Sequence, residues 1–243
     1  MTLYDTIFCR KSNRAYDDTP LSAETLDEIR RFVEGLQPLF PGMRWHMDVT
    51  DKSHVDSIQT WRSPHYAIMY AENHPMAWEN IGFVGQMLDL YLQSRGIGCC
   101  WVGLAHLKDT PDAPPREVDG MRFIIMLAFG MPKDDCHRKL DEFKRRSADD
   151  IADAPDERLE PARFAPSAVN SQPWYFTQSN GLYHIYKKHL DPIRDRMLGK
   201  MNRIDTGIAL AHMAVANPDT FRAVEKADHP NVSGYDYWLS FSI

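Results

Sequence analysis

Nowhere in this chain of 243 residues do about 18 apolar residues run together, and the opening MTLYDTIFCRKS holds no apolar stretch long enough for a secretion signal. The expectation is a cytoplasmic chain with no place in a membrane. Cysteine is scarce: Cys9, Cys99, Cys100 and Cys136 form no CxxC pair and no metal-ligand spacing. No metal site is expected, and the thiols read as small buried side chains in a reducing compartment. Positive charge is in deficit, with 28 Lys and Arg against 34 Asp and Glu and a net charge of −6. Such a chain has no global field to gather a phosphate backbone, so nucleic acid is not an expected partner. Its one basic run, Lys144-Arg145-Arg146, is hemmed in by acids and reads as a solvated loop or helix face. The strong catalytic templates are missing too: no HExxH, no P-loop, no GxSxG elbow. The GIG at 96–98 follows a helix pattern and lacks the third glycine of a dinucleotide fingerprint.

What is present is a large apolar fraction, 43% of residues, enough for one big domain or two small ones. PLSAETLDEIRRFVEGL predicts a helix capped by Ser22, with Leu26, Ile29, Val33 and Leu36 on one face. Residues 43–50, 64–72 and 121–130 read as strands. Between them NIGFVGQMLDLYLQSRGIG is apolar nearly all round, as a buried helix must be, and Gly82 and Gly85 invite another backbone to approach. After residue 135 the chain turns polar, which suggests a linker or surface helix. A strand pair around Asn180-Gly181 follows, then a second apolar helix in RIDTGIALAHMAVA and a final strand in YWLSFSI. The order of helix, strand, strand, buried helix, strand thus occurs twice.

Three segments could carry chemistry. In RKSNR, Arg10, Lys11, Ser12 and Arg14 gather three cations and a hydroxyl within five residues. If extended, Arg10, Ser12 and Arg14 project to one side and suit a ligand with a phosphate end and a polar edge. A solvated basic turn is the other reading. GIGCCWVG (96–103) could expose backbone at Gly98 and Gly103, or could be a helix stop followed by a core tryptophan. APSAVNSQPWYF (165–176) has prolines that pin the chain and short donors and acceptors in Ser167, Asn170 and Gln172. It could wall a flat ligand or be an Asx-rich loop entering a strand.

Together the three resemble the nitroreductase family of flavoproteins, in which RxSxR, APSxxNxQPW and GxGxxWxG recur, and DTGIALAH (205–212) is similar to a divergent branch of it. The resemblance covers most of the chain. It implies an α+β, nitroreductase-like fold of two pseudo-repeated halves, with mainly antiparallel sheets and buried central helices. It also implies FMN bound between the halves, which are usually two subunits of a homodimer. Carried over by motif, Arg10, Lys11 and Ser12 would hold the FMN phosphate and Arg14 would sit near the flavin N1/O2 edge. The backbone of Val102 and Gly103 would approach N5. Pro166, Ser167, Ala168, Asn170 and Gln172 would pack against ring and ribityl chain from the other side. Hydride would come from NAD(P)H and pass to a nitroaromatic, a quinone or a similar small acceptor, with no catalytic side chain required. The alternative is a flavin-binding storage or sensing protein with little turnover. Asp205 and His212, seven residues apart, read as a polar pair holding the two halves together.

Two departures from the family pattern matter. The APS motif comes last instead of second, so residues 1–135 hold two motifs and residues 160–243 the third, joined by 136–159. The chain then reads as two fused half-equivalents, a pseudo-dimer with one flavin per chain, monomeric or a weak homodimer, its halves separate or merged into one domain. The basic residue that many family members carry near the C-terminus is also absent: YDYWLSFSI has none.

Overall fold

Thr2 opens the first helix, α1 (Leu3–Ile7), with a reciprocal capping box: its hydroxyl accepts the Asp5 N–H, and the Asp5 carboxylate accepts the Thr2 N–H. The computed structural model describes residues 1–243, the side chain of Met197 excepted. Ser22 caps α2 (Ala23–Glu34) by accepting the Thr25 N–H at 3.2 Å, and Leu26, Ile29, Val33 and Leu36 turn to the core as their spacing predicts. Next come β1 (Trp45–Asp51), β2 (Val55–Ser57) and β3 (His65–Ala71), the last buried at every position. The long α3 (Ala77–Ser94) ends in a Schellman motif. There Gly96 takes φ +76°, its N–H bonds the Gln93 carbonyl, and the Ile97 N–H bonds that of Leu92. Then follow β4 (Gly98–Val102), β5 (Ala105–Leu107), β6 (Glu117–Val118) and β7 (Met121–Gly130).

The second half has a short α4 (Glu160–Arg163) and a hairpin of β8 (Trp174–Ser179) and β9 (Leu182–Lys188). Asn180 and Gly181 at the turn both have positive φ, 51° and 75°, the geometry an Asn-Gly pair supplies at least cost. The long α5 (Pro192–Ala216) follows, then β10 (Arg222–Val224) and β11 (Tyr235–Ser242). α5 begins well before the expected RIDTG. Arg194, Asp195, Arg196 and Lys200 make its first turns polar and hide their helical period, while Asp191 caps the start through the Ile193 and Arg194 N–H groups.

The two halves share one strand order. The first sheet runs β1-β3-β7-β4 and the second β8-β9-β11-β10, every neighbouring pair antiparallel. In each, a strand pair leads to a buried helix, and the last strand returns beside the second. The helices α3 and α5 pack on one another, and a single hydrophobic cluster runs from Ile29 through Leu88 and Ile208 to Phe241. Their crossing is reciprocal. A Cβ on Gly82 would lie 2.1 Å from the Ile204 carbonyl oxygen, and one on Gly207 would lie 1.9 Å from that of Glu79. One offset, 125 residues, carries Glu79 to Ile204, Asn80 to Asp205 and Gly82 to Gly207. It carries a hydrogen bond as well: Asn80 accepts the Leu39 N–H at 2.8 Å and Asp205 accepts the Ala168 N–H at 3.0 Å.

Three expectations need correction. Residues 136–159 are neither a free linker nor a surface helix. Ile151 and Ala152 are buried, Ala152 bridges to Phe176, and the Phe176 N–H bonds the Ile151 carbonyl, so the segment lines the edge of β8. Within it Arg145 and Arg146 are half-buried rather than solvated, and both hydrogen-bond the loop around residues 164–172. Of the four free cysteines, Cys99 and Cys100 are buried but Cys9 and Cys136 only partly so. Among the described residues, no helix is long and apolar enough to cross a membrane.

Candidate functional site

RKSNR lies in an extended arm, residues 9–17, wedged between β4 and the strand-like stretch 131–138. The Asn13 N–H bonds the Cys99 carbonyl, and the Lys133 and Arg138 N–H groups bond the carbonyls of Ala15 and Cys9. Arg10 points inward and is 1% exposed; its Nε and Nη2 donate to the two carboxylate oxygens of buried Asp89 at 2.9 and 3.2 Å. Gln93, one turn further along α3, donates to Asp89 at 2.7 Å and accepts the Lys11 N–H at 2.8 Å. The arm is therefore moored to α3 through a buried ion pair. Among the described residues Nη1 of Arg10 makes no hydrogen bond, so one edge of the guanidinium alone is left for a ligand.

This mooring alters what Arg10→Ala would report. Removing one partner of a buried pair strands the other charge. Because Gln93 still donates to Asp89, the expected loss is about 3 kcal/mol of folding stability, checked by denaturant melts with and without flavin. A weaker flavin affinity in that variant would mix binding with stability.

Next to the arm, the Cys100 thiol sits beside Ser12, with Arg14 and Arg10 near. Burial pushes the thiol's pKa up, against the pull of these cations, so it stays a thiol at neutral pH. Val102 is 2% exposed, its side chain packed with Tyr66 and Tyr70, which leaves only its backbone for a ligand. Gly103 is exposed and faces α5: a Cβ there would come within 3.2 Å of the Met201 sulfur.

The APS loop meets the same helix one turn on. Asp205 follows Met201 by four residues, about 6 Å along the axis, and both its oxygens accept the Ala168 N–H, at 3.0 and 3.1 Å. Burial raises the Asp205 pKa to about 8, partly offset by that N–H. Gly103 and Ala168, from motifs far apart in sequence, thus abut successive turns of α5. Pro166 is buried, and the Ser167 hydroxyl accepts the Gln172 N–H at 2.9 Å. Val169 and Asn170 hold positive φ, 48° and 56°, and Val169 is 86% exposed. A β-branched residue in that region is strained, and the surrounding bonds hold it there.

Those bonds come from Asn170 and Gln172 themselves. Asn170 accepts from Arg145 Nη1 at 2.7 Å and donates to the Lys144 carbonyl at 2.9 Å; Gln172 accepts the Arg146 N–H at 2.8 Å and donates to the Asn170 carbonyl at 3.3 Å. The two amides expected to face a ligand instead clamp the loop to residues 144–146.

His212 is not paired with Asp205. Its Nδ1–H donates to the Pro161 carbonyl at 2.8 Å, so its Nε2 accepts from Gln86, at 3.1 Å, and Gln86 in turn accepts the Trp101 indole N–H. This chain does join the halves, through α3 and α5. Burial holds the His212 pKa down at about 3, with the charges of Arg10 and Arg145 adding to the shift, so the ring is neutral.

Sequence reasoning missed Met201, which carries no motif, and two cations of the polar segment. The guanidinium carbons of Arg138 and Arg145 lie 5.0 and 5.3 Å from the centre of the Phe143 ring. Seven residues apart in a stretch without period, they offered no signal beyond charge.

A family model described as "Putative TM nitroreductase" matches residues 2–217. Among solved structures, the chain is similar to a "putative nitroreductase" of Thermotoga maritima, at 21% identity and a TM-score of 0.63, over 99% of this chain and 92% of that one. It also matches a nitroreductase family protein of Clostridium novyi NT, at 18% identity and a TM-score of 0.45, over 55% of this chain and 88% of that one. A third is an FMN-dependent nitroreductase of Clostridium difficile R20291, at 13% identity and a TM-score of 0.45, over 60% of this chain and 97% of that one. No curated protein matches.

Proposed function

This chain belongs to the TM nitroreductase family, and from that premise we propose that it is an FMN-dependent oxidoreductase carrying hydride from NAD(P)H to a nitroaromatic, a quinone or a similar small acceptor. The observation that carries the reading is the meeting of the three motif segments. Ser12 bridges to Cys99 where the arm lies along β4, while Gly103 and Ala168 stand against Met201 and Asp205 on adjacent turns of α5. A flat ligand lying between them would have backbone on both faces.

The residues present fit FMN. Among the described residues, Lys11, Arg14, Arg138 and Arg145 form no ion pair, and in an acidic protein such a concentration of free cations calls for an anion. Lys11 and Ser12, with the open edge of Arg10, would hold the phosphate. Arg14, exposed beside Cys100, would stabilise negative charge on the N1/O2 edge of the ring. The Val102–Gly103 backbone would face N5, and Pro166, Ser167 and Ala168 would wall the opposite side. A bound FMN would supply the redox chemistry, accepting hydride and passing electrons on. The protein's part is to orient and to shield: Met201 covers Gly103, and the thiol of Cys100 adds no charge beside the arm. No side chain is assigned as acid or base.

The common strand order and the matched Asn80 and Asp205 contacts support a pseudo-dimer origin with one flavin per chain. Titrating apoprotein with FMN should therefore saturate at one equivalent, and anaerobic NADH or NADPH should bleach the bound flavin, with colour returning on adding a quinone or nitroaromatic. Tight FMN binding without bleaching by either nucleotide would instead make it a storage or sensing protein. Failure to bind flavin would overturn both readings. Arg14→Ala should weaken FMN about tenfold, about 1.4 kcal/mol, in a fluorescence titration. Because Arg14 is exposed and bonds only weakly to the Ser12 carbonyl, its melting temperature should not move.

A further inference from the structure

The basic residue that would close the phosphate end from the C-terminus is missing, since residues 235–243 carry no cation. We propose that the connecting segment replaces it: Arg138 is a direct ligand of the phosphate monoester, and Arg145 is a positioning residue that adds charge and locks the APS loop. The proposal rests on the FMN reading above and goes further in assigning two residues outside the three motifs.

Five guanidinium groups gather where the arm, the connecting segment and the APS loop meet. Arg10 and Arg14 both act on Arg138, and Arg10, Arg138 and Arg163 act on Arg145; burial and these like charges lower the pKa of Arg138 and lower that of Arg145 to about 10. Asp89 answers Arg10 and Glu160 answers Arg163. Among the described residues, no carboxylate lies within 4.0 Å of Arg138 or Arg145. Both guanidiniums stack on one ring, that of Phe143, and the charge of Arg138 acts unfavourably on Arg145. An anion bound at the free edge of Arg138 would relieve that repulsion.

The two arginines differ in how they are spent. Arg145 donates Nε and Nη2 to the Phe164 carbonyl at 3.3 and 3.2 Å and Nη1 to Asn170, so most of its donors hold the loop. Arg138 makes no side-chain hydrogen bond among the described residues, and its Nε is buried without a partner. A buried donor left unmade is costly unless a ligand completes it. Arg138 also shares with Lys11 the lining of a groove of about 710 Å³, together with Lys139 and the carboxylates of Asp134, Asp135 and Glu142. The two cations thus open on one space of balanced charge, in which Arg138 has no ion-pair partner. A phosphate monoester, with up to two charges and three acceptor oxygens, matches that donor set.

Comparing FMN with riboflavin, which lacks the phosphate, tests the assignment. In fluorescence titrations Arg138→Gln should weaken FMN at least tenfold and leave riboflavin unchanged, with Arg138→Lys intermediate. Arg145→Gln should weaken both flavins, because the loop it frees touches more than the phosphate. Arg138 makes no side-chain hydrogen bond among the described residues, and its stacking on Phe143 is offset by the repulsion and the unmade donor it brings. Circular-dichroism melts of Arg138→Gln without ligand should therefore fall no lower than wild type. Equal loss of FMN and riboflavin in Arg138→Gln, or no loss, overturns the proposal while leaving the flavin function standing. If the wild-type protein binds neither flavin, inorganic phosphate decides. A rise in melting temperature with phosphate over chloride of equal ionic strength, absent in Arg138→Gln, upholds the anion site; no such rise in wild type overturns it.

Discussion

Gly207→Ala should destabilise the protein by more than about 4 kcal/mol, the range reserved for a few severe mechanisms, although alanine is the better helix former by up to about 1 kcal/mol. The sign is set by the crossing of α3 and α5. A Cβ at residue 207 would lie 1.9 Å from the Glu79 carbonyl oxygen and 2.8 Å from both the Glu79 carbonyl carbon and the Phe83 nitrogen. All three are backbone of a buried helix and cannot swing away, so the helices must part. Parting strains every polar tie between the halves. Glu79, fully buried, accepts from Arg203 at 2.7 and 2.9 Å and from the Trp238 indole at 2.7 Å, and Gln86 meets His212. At about 2–4 °C per kcal/mol for a chain of this size, the melting temperature should fall by roughly 8–16 °C, read by circular dichroism. Gly199→Ala is the control on the same helix. Its Cβ would meet only the end of the Asp195 side chain, at 2.5 Å, which can rotate aside, so the change should be neutral or stabilising. Equal effects at the two glycines would refute the close-crossing argument. Gly207→Ala should also lower flavin affinity, because the same crossing presents Met201 to Gly103 and Asp205 to Ala168.

Gly207 went unremarked in sequence whereas Gly82 stood out, and the reason is physical. Gly82 sits in a helix apolar all round, where a missing side chain has only one explanation, close approach. Gly207 lies in DTGIALAH, where the motif draws the eye to Asp and His. Elements whose signals are local were legible almost to the residue: the strand 121–130, the Asn180-Gly181 turn, the Ser22 cap and the Gly96 helix stop. The connecting segment was not, because a few apolar residues such as Ile151 anchor an otherwise polar run and no period marks them. The motif residues divide in the same way. Arg10, Asn170 and Gln172 were picked out by pattern, but patterns record residue type and not direction. Their side chains turn to Asp89, Lys144, Arg145 and Arg146, contacts between segments far apart in sequence. Asp205 and His212 were read as a polar pair joining the halves; only His212 joins them, through Gln86, and each found its own partner, because seven residues along a helix leave them too far apart to touch.

Asp205→Asn should reverse its effect on stability between acid and alkaline pH. With a pKa of about 8 in the fold against an ordinary value of 3.8, the native state keeps a proton that the unfolded chain releases. Native protein then binds more protons than unfolded protein between the two values, so stability declines as pH rises through that window, by up to about 1.4 kcal/mol per unit. The whole decline comes to about 6 kcal/mol; below pH 4 it is absent, and above pH 8 it is complete. Asparagine does not titrate and so removes the decline. Its own cost can be read from the other half of the molecule, where Asn80 at the matching position accepts the Leu39 N–H but leaves its Nδ2 buried with no partner. An unmet buried amide costs about 1–3 kcal/mol. The variant should therefore be less stable than wild type near pH 4.5 and more stable near pH 8.5, with the two curves crossing between, as measured by urea melts across pH. Parallel curves would mean that Asp205 does not carry the titration. The choice of Asp rather than Asn beside the APS loop has a consequence for binding. At pH above 8 the carboxylate holds the Ala168 N–H by a charge-assisted bond, which stiffens the APS loop; in the protonated form that bond is an ordinary one. Wild-type affinity for riboflavin, free of any phosphate titration, should therefore tighten as pH rises through about 8, and in Asp205→Asn it should not.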